Sequence, residues 1–380
     1  MSGHLFIIAC EASGDLHAAR LVEEFRRLSP GTAFTGLGGP CMRQAGVTLL
    51  HDMTTLSALG LGDVLRQYLK YRKIFYATLG ALQKKKPDAL ILVDSPAFNL
   101  RFAKKARTML PSLPVLYYIC PQLWAWGQRR IGLVKKVISK MYSILPFETE
   151  FYRQHGVDCE FVGHPLLDHL AEAPTRESAR RKLALGPTET ALGFFAGSRR
   201  SEVQRIFPIM VKTAALLKTA FPGTRLFYSE STNVPSAVYE AILKQTGGTL
   251  EKLNEDFDTG VRAMDFALVT SGTATLQTAL LGTPFFLLYK ASGSTYFIGR
   301  RLIQVPFIGL VNLLARKKVV PEFIQGHAKP AWIAEAAISF LKDPGAYERM
   351  KADFLKMRAS LGEKGASETA ARKIRDFLQA

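Results

Sequence analysis

The sequence is poor in cysteine and lacks any long uncharged run. Its four cysteines, Cys10, Cys41, Cys120 and Cys159, form no CxxC pair, so reduced thiols are expected instead of a disulfide framework. No apolar stretch reaches the roughly 20 residues of a bilayer-spanning helix. The run Leu5–Cys10 is also too short for the hydrophobic region of a signal peptide. We therefore expect a cytoplasmic protein that touches a membrane from one side at most.

Metal ligands are equally scarce. The seven histidines are scattered, and no His/Cys cluster has the spacing of a metal site. Asp256-Phe257-Asp258 is formally the DxD motif that holds a metal-bound diphosphate, but no strand leads into it. A solvated acidic turn is therefore expected there.

Acidic residues are few beside the basic ones. The chain has 32 Asp and Glu against 50 Lys and Arg, which gives a formal net charge of +18. Such an excess favours an anionic partner: nucleic acid, anionic lipid headgroups or a phosphorylated substrate. No aromatic-rich RNA motif or recognition helix supports the nucleic-acid alternative.

Short apolar runs alternate with amphipathic segments along the chain. The predicted strands are Leu5–Cys10, Ala89–Val93, Val115–Cys120, Tyr142–Leu145, Ala191–Ala196, Arg225–Tyr228, Phe266–Thr270 and Pro284–Tyr289. Runs without polar alternation are typical of parallel strands covered on both faces. The polar stretch 171–190, with two prolines, separates the two series. The pattern predicts an α/β protein with two doubly wound, Rossmann-like parallel-sheet domains facing a cleft.

Two strand-to-helix turns of the second half suit an anion. The candidate residues are Gly197, Ser198, Arg199 and Glu202 at the first turn and Ser271, Gly272 and Thr273 at the second. Amides at a helix start and an arginine fork favour phosphate, whereas ordinary turns with plain N-caps are the alternative. Together the turns predict a diphosphate site, although neither is a P-loop or a GxGxxG fingerprint.

Carboxylates end two strands of the first half. The first strand runs into a turn whose candidate residues are Glu11, Ser13, Gly14 and Asp15. Its two carboxylates would repel a phosphate, so contacts with sugar hydroxyls are expected, with capping of the next helix as the alternative. Asp94 ends a central strand, where a general base would be placed; the alternative is a helix cap before Pro96.

The segment Leu61–Lys86 combines large apolar residues with basic ones. Its candidate membrane or acyl-chain contacts are Leu61, Val64, Leu65, Tyr68, Leu69 and Phe75. This pattern predicts a helix in a membrane interface that holds anionic lipid. A core-facing helix with a solvated basic face is the alternative. A second mixed stretch, Tyr296–Leu314, favours the membrane interpretation.

Several segments together resemble the lipid-A-disaccharide synthase family. They are EASGD (Glu11–Asp15), GLGGPCMRQAG (Gly36–Gly46), DSPAFN (Asp94–Asn99), PQLWAWGQRR (Pro121–Arg130), LPFE (Leu145–Glu148), FVGHPLLD (Phe161–Asp168), GSRRSEV (Gly197–Val203), SGTATLQ (Ser271–Gln277) and NLLARKKVVPEFIQ (Asn312–Gln325). The resemblance runs from about residue 5 to the C-terminal helices. PQLWAW, GSR and SGTATL in this order are its most specific part.

The resemblance implies a GT-B fold in three parts. Residues 1–168 form an N-terminal acceptor- and membrane-facing domain, and residues 169–350 form a C-terminal UDP-sugar-binding domain. Residues 351–380 are helices that pack back on the first domain. The implied location is the cytoplasmic face of the bacterial inner membrane, where the protein is peripheral and contacts an anionic surface.

The resemblance also implies a reaction that needs no metal and no cofactor. UDP-2,3-diacylglucosamine donates its sugar to 2,3-diacylglucosamine 1-phosphate, with inversion, to give a β-1,6-linked tetraacyl disaccharide phosphate and UDP. Asp94 matches the proposed general base, and Ala97 stands where relatives often carry a second acid. Glu11, Ser13, Gly14, Asp15, Asn99 and Trp126 are the implied sugar or acceptor contacts.

The same resemblance assigns the nucleotide to the second half. Arg199 and the amides around Gly272 would stabilise the leaving UDP, and Asn312 and Glu322 match positions associated with the nucleotide. Gln277 departs from the pattern, because a Glu commonly meets the ribose there. Two alternatives stay open: another GT-B enzyme, such as a UDP-sugar epimerase or a peptidoglycan-type N-acetylglucosaminyltransferase, and a non-catalytic protein that binds anionic lipid or nucleic acid.

Overall fold

The computed structural model describes residues 3–54, 64–303 and 305–380. The chain divides into two compact units, of which the first comprises Met1–Asp168 with Leu361–Ala380 and the second comprises His169–Ser360. Each unit contains a sheet whose paired strands are all parallel. The α/β class with two parallel-sheet domains, predicted from the alternating pattern, is confirmed.

The described residues of the first unit form seven strands. They are β1 (His4–Ala9), β2 (Ala33–Gly38), β3 (Thr48–Asp52), β4 (Ala89–Val93), β5 (Val115–Tyr118), β6 (Lys140–Ser143) and β7 (Cys159–Phe161). Their order across the sheet is β3-β2-β1-β4-β5-β6-β7. The helices between them are α1 (Ala12–Leu28), α2 (Pro40–Gln44), α3 (Val64–Lys85), α4 (Pro96–Met109), α5 (Ile131–Val137), α6 (Pro146–Gln154) and α7 (Leu166–His169).

Helices cover both faces of this sheet. Successive side chains of β1 enter two different cores: Phe6 and Ile8 pack into one, and Leu5 and Ile7 pack into the other. Because side chains alternate across a strand, burial on both faces requires an unbroken apolar run. This explains why the strand lacks the polar alternation of a half-exposed sheet.

Six strands are described in the second unit. They are β8 (Ala191–Phe195), β9 (Arg225–Tyr228), β10 (Glu251–Lys252), β11 (Phe266–Thr270), β12 (Phe285–Tyr289) and β13 (Glu322–Ile324), in the order β10-β9-β8-β11-β12-β13. The helices are α8 (Arg176–Lys182), α9 (Arg200–Ala220), α10 (Ser236–Thr246), α11 (Phe257–Ala263), α12 (Thr273–Leu280), α13 (Gly293–Leu302), α14 (Leu310–Ala315), α15 (Pro330–Leu341) and α16 (Pro344–Ser360). The order reverses beside β8, which is where doubly wound sheets bind ligands.

The chain returns to the first unit after α16. The last helix, α17 (Ala366–Gln379), buries Ala371 and Ile374 in the core that contains Ala18 and Leu21 of α1. The C-terminal helix α17 therefore packs in the first unit. The C-terminal segment of that unit begins at Leu361, whereas the prediction placed its start at residue 351, because α16 belongs to the second unit.

Helix α16 has its own apolar partner in the second unit. The ring of Phe354 lies 5.8 Å from the ring of Phe285 in a stacked arrangement, and Phe354 is buried. None of the helices in the described ranges is both long enough and apolar enough to cross a bilayer.

Candidate active site

Two strands of the first sheet bring carboxylates to one edge. β1 and β4 pair in parallel with Ala9 opposite Val93, so Glu11 and Asp94 follow neighbouring strand ends. Asp94 and Ser95 both have left-handed backbones, with φ of 49° and 45°. Non-glycine residues in such conformations each store about 1–3 kcal/mol of strain and concentrate at functional sites.

Side chains from the next helix and strand hold this turn. Asn99 is fully buried and donates its amide to the backbone oxygens of Val93 (3.1 Å) and Asp94 (2.7 Å). Tyr117 donates its hydroxyl to the same oxygen of Asp94 over 2.5 Å. The sequence placed Asn99 among the acceptor contacts, but its buried side chain positions the turn instead, because its amide hydrogens are used by the backbone.

The Asp94 carboxyl is tuned by its surroundings. Burial raises the pKa of Asp94 above its usual value and the nearby charge of Glu11 adds to the rise, while a hydrogen bond from the Ser95 amide opposes it. A carboxylate with a raised pKa is a stronger proton acceptor. This environment suits a general base.

The turn after β1 divides its residues between surface and interior. Glu11 and Ser13 are exposed. Asp15 is buried and accepts from the amides of Gly39 (2.7 Å) and Cys41 (2.9 Å) at the start of α2. The sequence assigned Asp15 to the sugar, but the structure uses it to satisfy the free amides of a helix start. Gly14 is also buried, so of these residues Glu11 and Ser13 remain accessible to a ligand.

A pocket of about 840 Å³ opens beside the Asp94 turn, in the first unit. It reaches Glu11 and Ser95 at the strand ends and Trp126 in the loop before α5. Its apolar wall comes from α3 and α4, where the ring of Phe75 lies 5.4 Å from the ring of Phe98. Pockets of this size that combine an apolar wall with a few polar groups are typical ligand sites.

The predicted membrane stripe is only partly described. Leu61 lies outside the described residues, as do the side chains of Val64, Leu65 and Tyr68. Leu69 is 55% exposed, whereas Phe75 is half-buried against the core. Helix α3 therefore presents an apolar residue to solvent at Leu69 and lines the pocket at Phe75.

A buried carboxyl anchors the loop that carries Trp126. Glu148, at the start of α6, accepts a hydrogen bond of 2.9 Å from the indole nitrogen of Trp124. Burial raises the pKa of Glu148 to about 8, so the side chain is largely protonated at neutral pH. Trp126 itself is 45% exposed, and the guanidinium of Arg130 lies 5.3 Å from its ring centre.

In the second unit the two glycine turns are adjacent. β8 and β11 pair in parallel with Phe195 opposite Val269, so the turns at Gly197 and Gly272 follow neighbouring strand ends. A Cβ atom on Gly197, whose φ is 94°, would lie 3.2 Å from a methyl carbon of Thr270. The Thr270 hydroxyl is buried without a hydrogen-bond partner among the described residues. Two helix starts and an unused hydroxyl thus meet at one edge.

Arg199 caps the longer of these helices, α9. Its backbone amide and its guanidinium both donate to the Glu202 carboxylate, the latter over 3.2 Å. The Arg199 side chain is 80% exposed, so most of its donors face solvent. Ser198 is exposed beside it, as are Gly272 and Thr273 at the second turn, while Ser271 is half-buried. The edge is accessible to an anion.

The neighbouring carboxylate of Asp258 explains why residue 277 is a glutamine in this chain. The Gln277 amide donates to one oxygen of Asp258 over 2.5 Å, and His169 lies 2.8 Å from the other oxygen. A Glu at position 277 would place a second carboxylate against Asp258, which like-charge repulsion disfavours. The amide in this chain therefore fits a carboxylate supplied from α11.

Asn312 and Glu322 form a closed network. Asn312 is fully buried; its amide donates to Val320 and Glu322, and its oxygen accepts from the amides of Val319 and Val320. Glu322 also accepts from Gly309 at the start of α14 over 3.0 Å. The sequence associated Asn312 with the nucleotide, but all its hydrogen-bonding groups are used in fixing α14 and the loop after it.

The acidic DxD sequence has a structural role. Asp256 accepts from the amide of Thr259 over 2.9 Å and so caps α11. Among residues 3–54, 64–303 and 305–380, no group of three or more His, Cys, Asp or Glu is arranged to hold a metal ion.

Five basic residues line the pocket, and of these only Arg72 was singled out from the sequence, as part of the predicted lipid-facing helix. They are Arg72 on α3, Arg101, Lys104 and Lys105 on α4, and Arg130 before α5. The three on α4 have the spacing i, i+3, i+4, which places them on one helical face. This spacing could have indicated a basic face on α4. The pocket could not be predicted from it, because the pocket is formed by packing between α3 and α4.

A family model described as lipid-A-disaccharide synthetase matches residues 5–374. The lipid-A-disaccharide synthase of Syntrophus aciditrophicus is 39% identical over 97% of this chain and 96% of its own. Lipid-A-disaccharide synthase 1 of Legionella pneumophila is 38% identical over 96% and 95%.

Solved structures with low sequence identity share the fold. MurG of Acinetobacter baumannii superposes with a TM-score of 0.59 at 12% identity, covering 98% of this chain and 99% of its own. The Staphylococcus aureus structure described as an MnaA–UDP co-structure has a TM-score of 0.67 at 14% identity, covering 100% and 97%. These similarities confirm the predicted GT-B fold.

Proposed function

Since the chain belongs to the lipid-A-disaccharide synthetase family and is a glycosyltransferase of lipid A disaccharide biosynthesis, its reaction joins sugars. We propose that the two sugars are diacylglucosamine units. The donor is UDP-2,3-diacylglucosamine and the acceptor is 2,3-diacylglucosamine 1-phosphate. The acceptor 6-hydroxyl forms a bond to the anomeric carbon as the bond to UDP breaks. A single displacement inverts that carbon and releases a β-1,6-linked tetraacyl disaccharide 1-phosphate.

Asp94 is the general base of this proposal. It takes the proton from the acceptor hydroxyl as the oxygen attacks. The observation that carries the assignment is the strained turn: Asp94 and Ser95 both have left-handed backbones at a strand end, held by Asn99. The same turn borders a pocket that reaches Glu11 and Ser95. An inverting displacement needs one such base.

The second unit stabilises the leaving UDP. Negative charge grows on the diphosphate as the bond breaks, and preorganised donors lower the energy of that state. Arg199 provides an exposed guanidinium, and the turns at Gly197 and Gly272 provide amides at two helix starts. Ser198, Ser271 and Thr273 add hydroxyl donors, and Gln277 with Asp258 supplies groups for the ribose. We propose that Glu202 orients Arg199.

The substrates carry acyl chains, and we propose that helix α3 meets them at a membrane surface. Leu69 and Tyr76 are exposed apolar residues, 55% and 54% respectively. Exposed Lys70, Arg72 and Lys73 flank them. Exposed aromatic and aliphatic residues beside cations favour an anionic interface. The protein then acts as a peripheral protein on the inner face of the inner membrane.

The decisive experiment supplies both substrates. The purified protein is incubated with UDP-2,3-diacylglucosamine and 2,3-diacylglucosamine 1-phosphate, and the products are analysed by mass spectrometry. We expect the tetraacyl disaccharide phosphate and UDP in equal amounts. A parallel incubation with UDP-N-acetylglucosamine separates this activity from that of another GT-B enzyme. Release of UDP without disaccharide would contradict the proposal.

A further inference from the structure

The pocket beside the Asp94 turn has two chemically different sides. One side is aromatic and is formed by Tyr71, Phe75 and Tyr76 of α3 with Phe98 of α4. The other side is basic and is formed mainly by the exposed face of α4. Of the described residues that line it, Glu11 at the strand edge is the one carboxylate. A ligand that matches both sides is an amphiphile with an anionic group.

The basic side is built from three separate segments. Arg101, Lys104 and Lys105 lie on one face of α4, while Arg72 comes from α3 and Arg130 from the loop before α5. Within the part of the chain that the structure describes, none of these five cations forms an ion pair with a carboxylate. Five cations without counter-ions around one cavity repel each other, and a bound anion relieves that repulsion.

A solvated basic helix face is the simpler explanation for cations on α4. It does not account for Arg72 and Arg130, which approach the same cavity from other segments. Lys84, Lys85 and Lys86, by contrast, are exposed at the end of α3 and do not line this pocket, although Lys85 borders a smaller one with His4 and Arg26. Among the described residues, one basic cluster therefore surrounds the pocket beside the Asp94 turn, and the lysines at the end of α3 lie away from it.

We propose that this pocket is the subsite for the phosphorylated end of the acceptor, with the phosphomonoester held by Arg101, Lys104 and Lys105 and an acyl chain against the aromatic side. The inference rests on the proposed function and adds to it the location of the acceptor phosphate. Guanidinium and ammonium groups are the usual protein partners of phosphate. The pocket ends at Glu11 and Ser95, so an acceptor bound there has its sugar beside the Asp94 turn.

The test compares R101Q/K104Q/K105Q with K84Q/K85Q/K86Q, which removes the same charge at a site outside this pocket. Binding of diacylglucosamine 1-phosphate and of diacylglucosamine without phosphate is measured in neutral detergent micelles. We expect wild type and the K84Q/K85Q/K86Q control to prefer the phosphorylated ligand by about tenfold or more, as for charge-assisted hydrogen bonds. The R101Q/K104Q/K105Q variant should lose this preference, while its affinity for UDP stays unchanged.

Other outcomes overturn the inference. A preference retained in R101Q/K104Q/K105Q, or lost equally in both variants, excludes a specific phosphate subsite. If the preference is intact but binding to phosphatidylglycerol vesicles falls, the α4 cations contact bilayer phosphates instead. Failure of wild type to form disaccharide would contradict the proposed function, whereas these binding measurements would still decide on the pocket.

A second variant tests the aromatic side. Tyr76 is 54% exposed, so Tyr76→Ser is expected to leave the fold intact. It should weaken binding of the diacylated ligand several-fold and leave binding of glucosamine 1-phosphate, which has no acyl chains, unchanged. An equal effect on both ligands, or no effect on either, would contradict an acyl chain at this wall.

Discussion

The buried amide of Asn99 donates a 2.7 Å hydrogen bond to the backbone oxygen of Asp94 and so fixes a turn whose conformation is otherwise strained. A second bond, to Val93, ties the same amide to the end of the strand. Asn99 thus holds the backbone that carries the Asp94 carboxylate, while its own side chain is fully buried.

Asn99→Ala removes both hydrogen bonds and leaves two buried carbonyls without this donor. We expect a loss of about 1–3 kcal/mol of stability in the first unit, since each hydrogen bond contributes roughly 0.5–1.5 kcal/mol and the Asp94 oxygen keeps its bond from Tyr117. Transfer activity should fall while UDP affinity is unchanged, as measured by thermal denaturation, kinetics and calorimetry. Asn233→Ala, at an exposed asparagine, is the control. Unchanged activity in Asn99→Ala would contradict the positioning role.

Asp94→Asn should separate activity from stability. We expect transfer to fall by about 10²–10⁴, the usual contribution of a general base. The pKa of Asp94 is higher in the folded protein than in the unfolded chain, so ionisation of Asp94 destabilises the fold. The free energy of unfolding therefore falls as pH rises from 3.8 through the folded pKa. Near neutral pH the neutral variant should therefore melt no lower than wild type. Asp158→Asn, at an exposed carboxylate, should keep full activity; near-normal turnover in Asp94→Asn would exclude the base.

Arg199→Ala should weaken UDP binding by about tenfold or more, because charge-assisted hydrogen bonds contribute roughly 1.5–3 kcal/mol. Its side chain is 80% exposed and pairs with Glu202, so the melting temperature should hardly change. Arg199→Lys should show an intermediate affinity, since the charge remains but the planar fork is lost. Arg200→Ala is the neighbouring control. Equal UDP affinities by calorimetry in all four proteins would exclude Arg199 from the nucleotide site.

Gln277→Glu tests the pairing with Asp258. Two carboxylates at hydrogen-bond distance repel unless one is protonated, so the variant should lose UDP affinity and stability. Asp258→Asn combined with Gln277→Glu restores one acid and one amide, and it should recover a large part of the loss. A double-mutant cycle on the melting temperature and on UDP affinity measures this coupling. Additive effects would show that the pair is not coupled.

Glu148→Gln tests the buried acid beneath the tryptophan loop. The folded pKa of about 8 lies above the ordinary value of 4.5, so wild type loses stability as pH rises between these values. The variant keeps an oxygen for Trp124 but does not titrate, so its melting temperature should depend less on pH between about 5 and 8. The exposed Glu363→Gln is the control. Parallel pH profiles for wild type and Glu148→Gln would contradict a raised pKa.

The sequence revealed the apolar strands because burial on both faces leaves an unbroken apolar run. It did not reveal β2, whose Gly36 and Gly38 resemble a turn. The structure shows the reason for Gly36: a Cβ there would lie 1.7 Å from the backbone oxygen of Ile7, so only glycine permits this strand pairing. Strand β13 was missed because it is only three residues long and half-buried.

The positions of Asp94 and Arg199 in turns that follow strand ends could be predicted from the sequence, and their roles stay predictions. The sequence did not show which polar side chains near strand ends form hydrogen bonds with the backbone and are therefore not free to contact a ligand. Asn99, Asp15 and Asn312 all have the residue types of ligand contacts, yet each satisfies buried amides or carbonyls. Such partners come from other elements, and one sequence does not show which elements meet.

The return of the chain to the first unit has a consequence for biosynthesis. Ala371 and Ile374 belong to the core of the first unit but are synthesised after all of the second unit. Domains generally fold in order as they leave the ribosome. Here the second unit can complete its core first. Until α17 is synthesised, residues 1–168 have an apolar face on α1 that α17 does not yet cover. During that interval the nascent first unit is the part of the molecule that needs protection by chaperones.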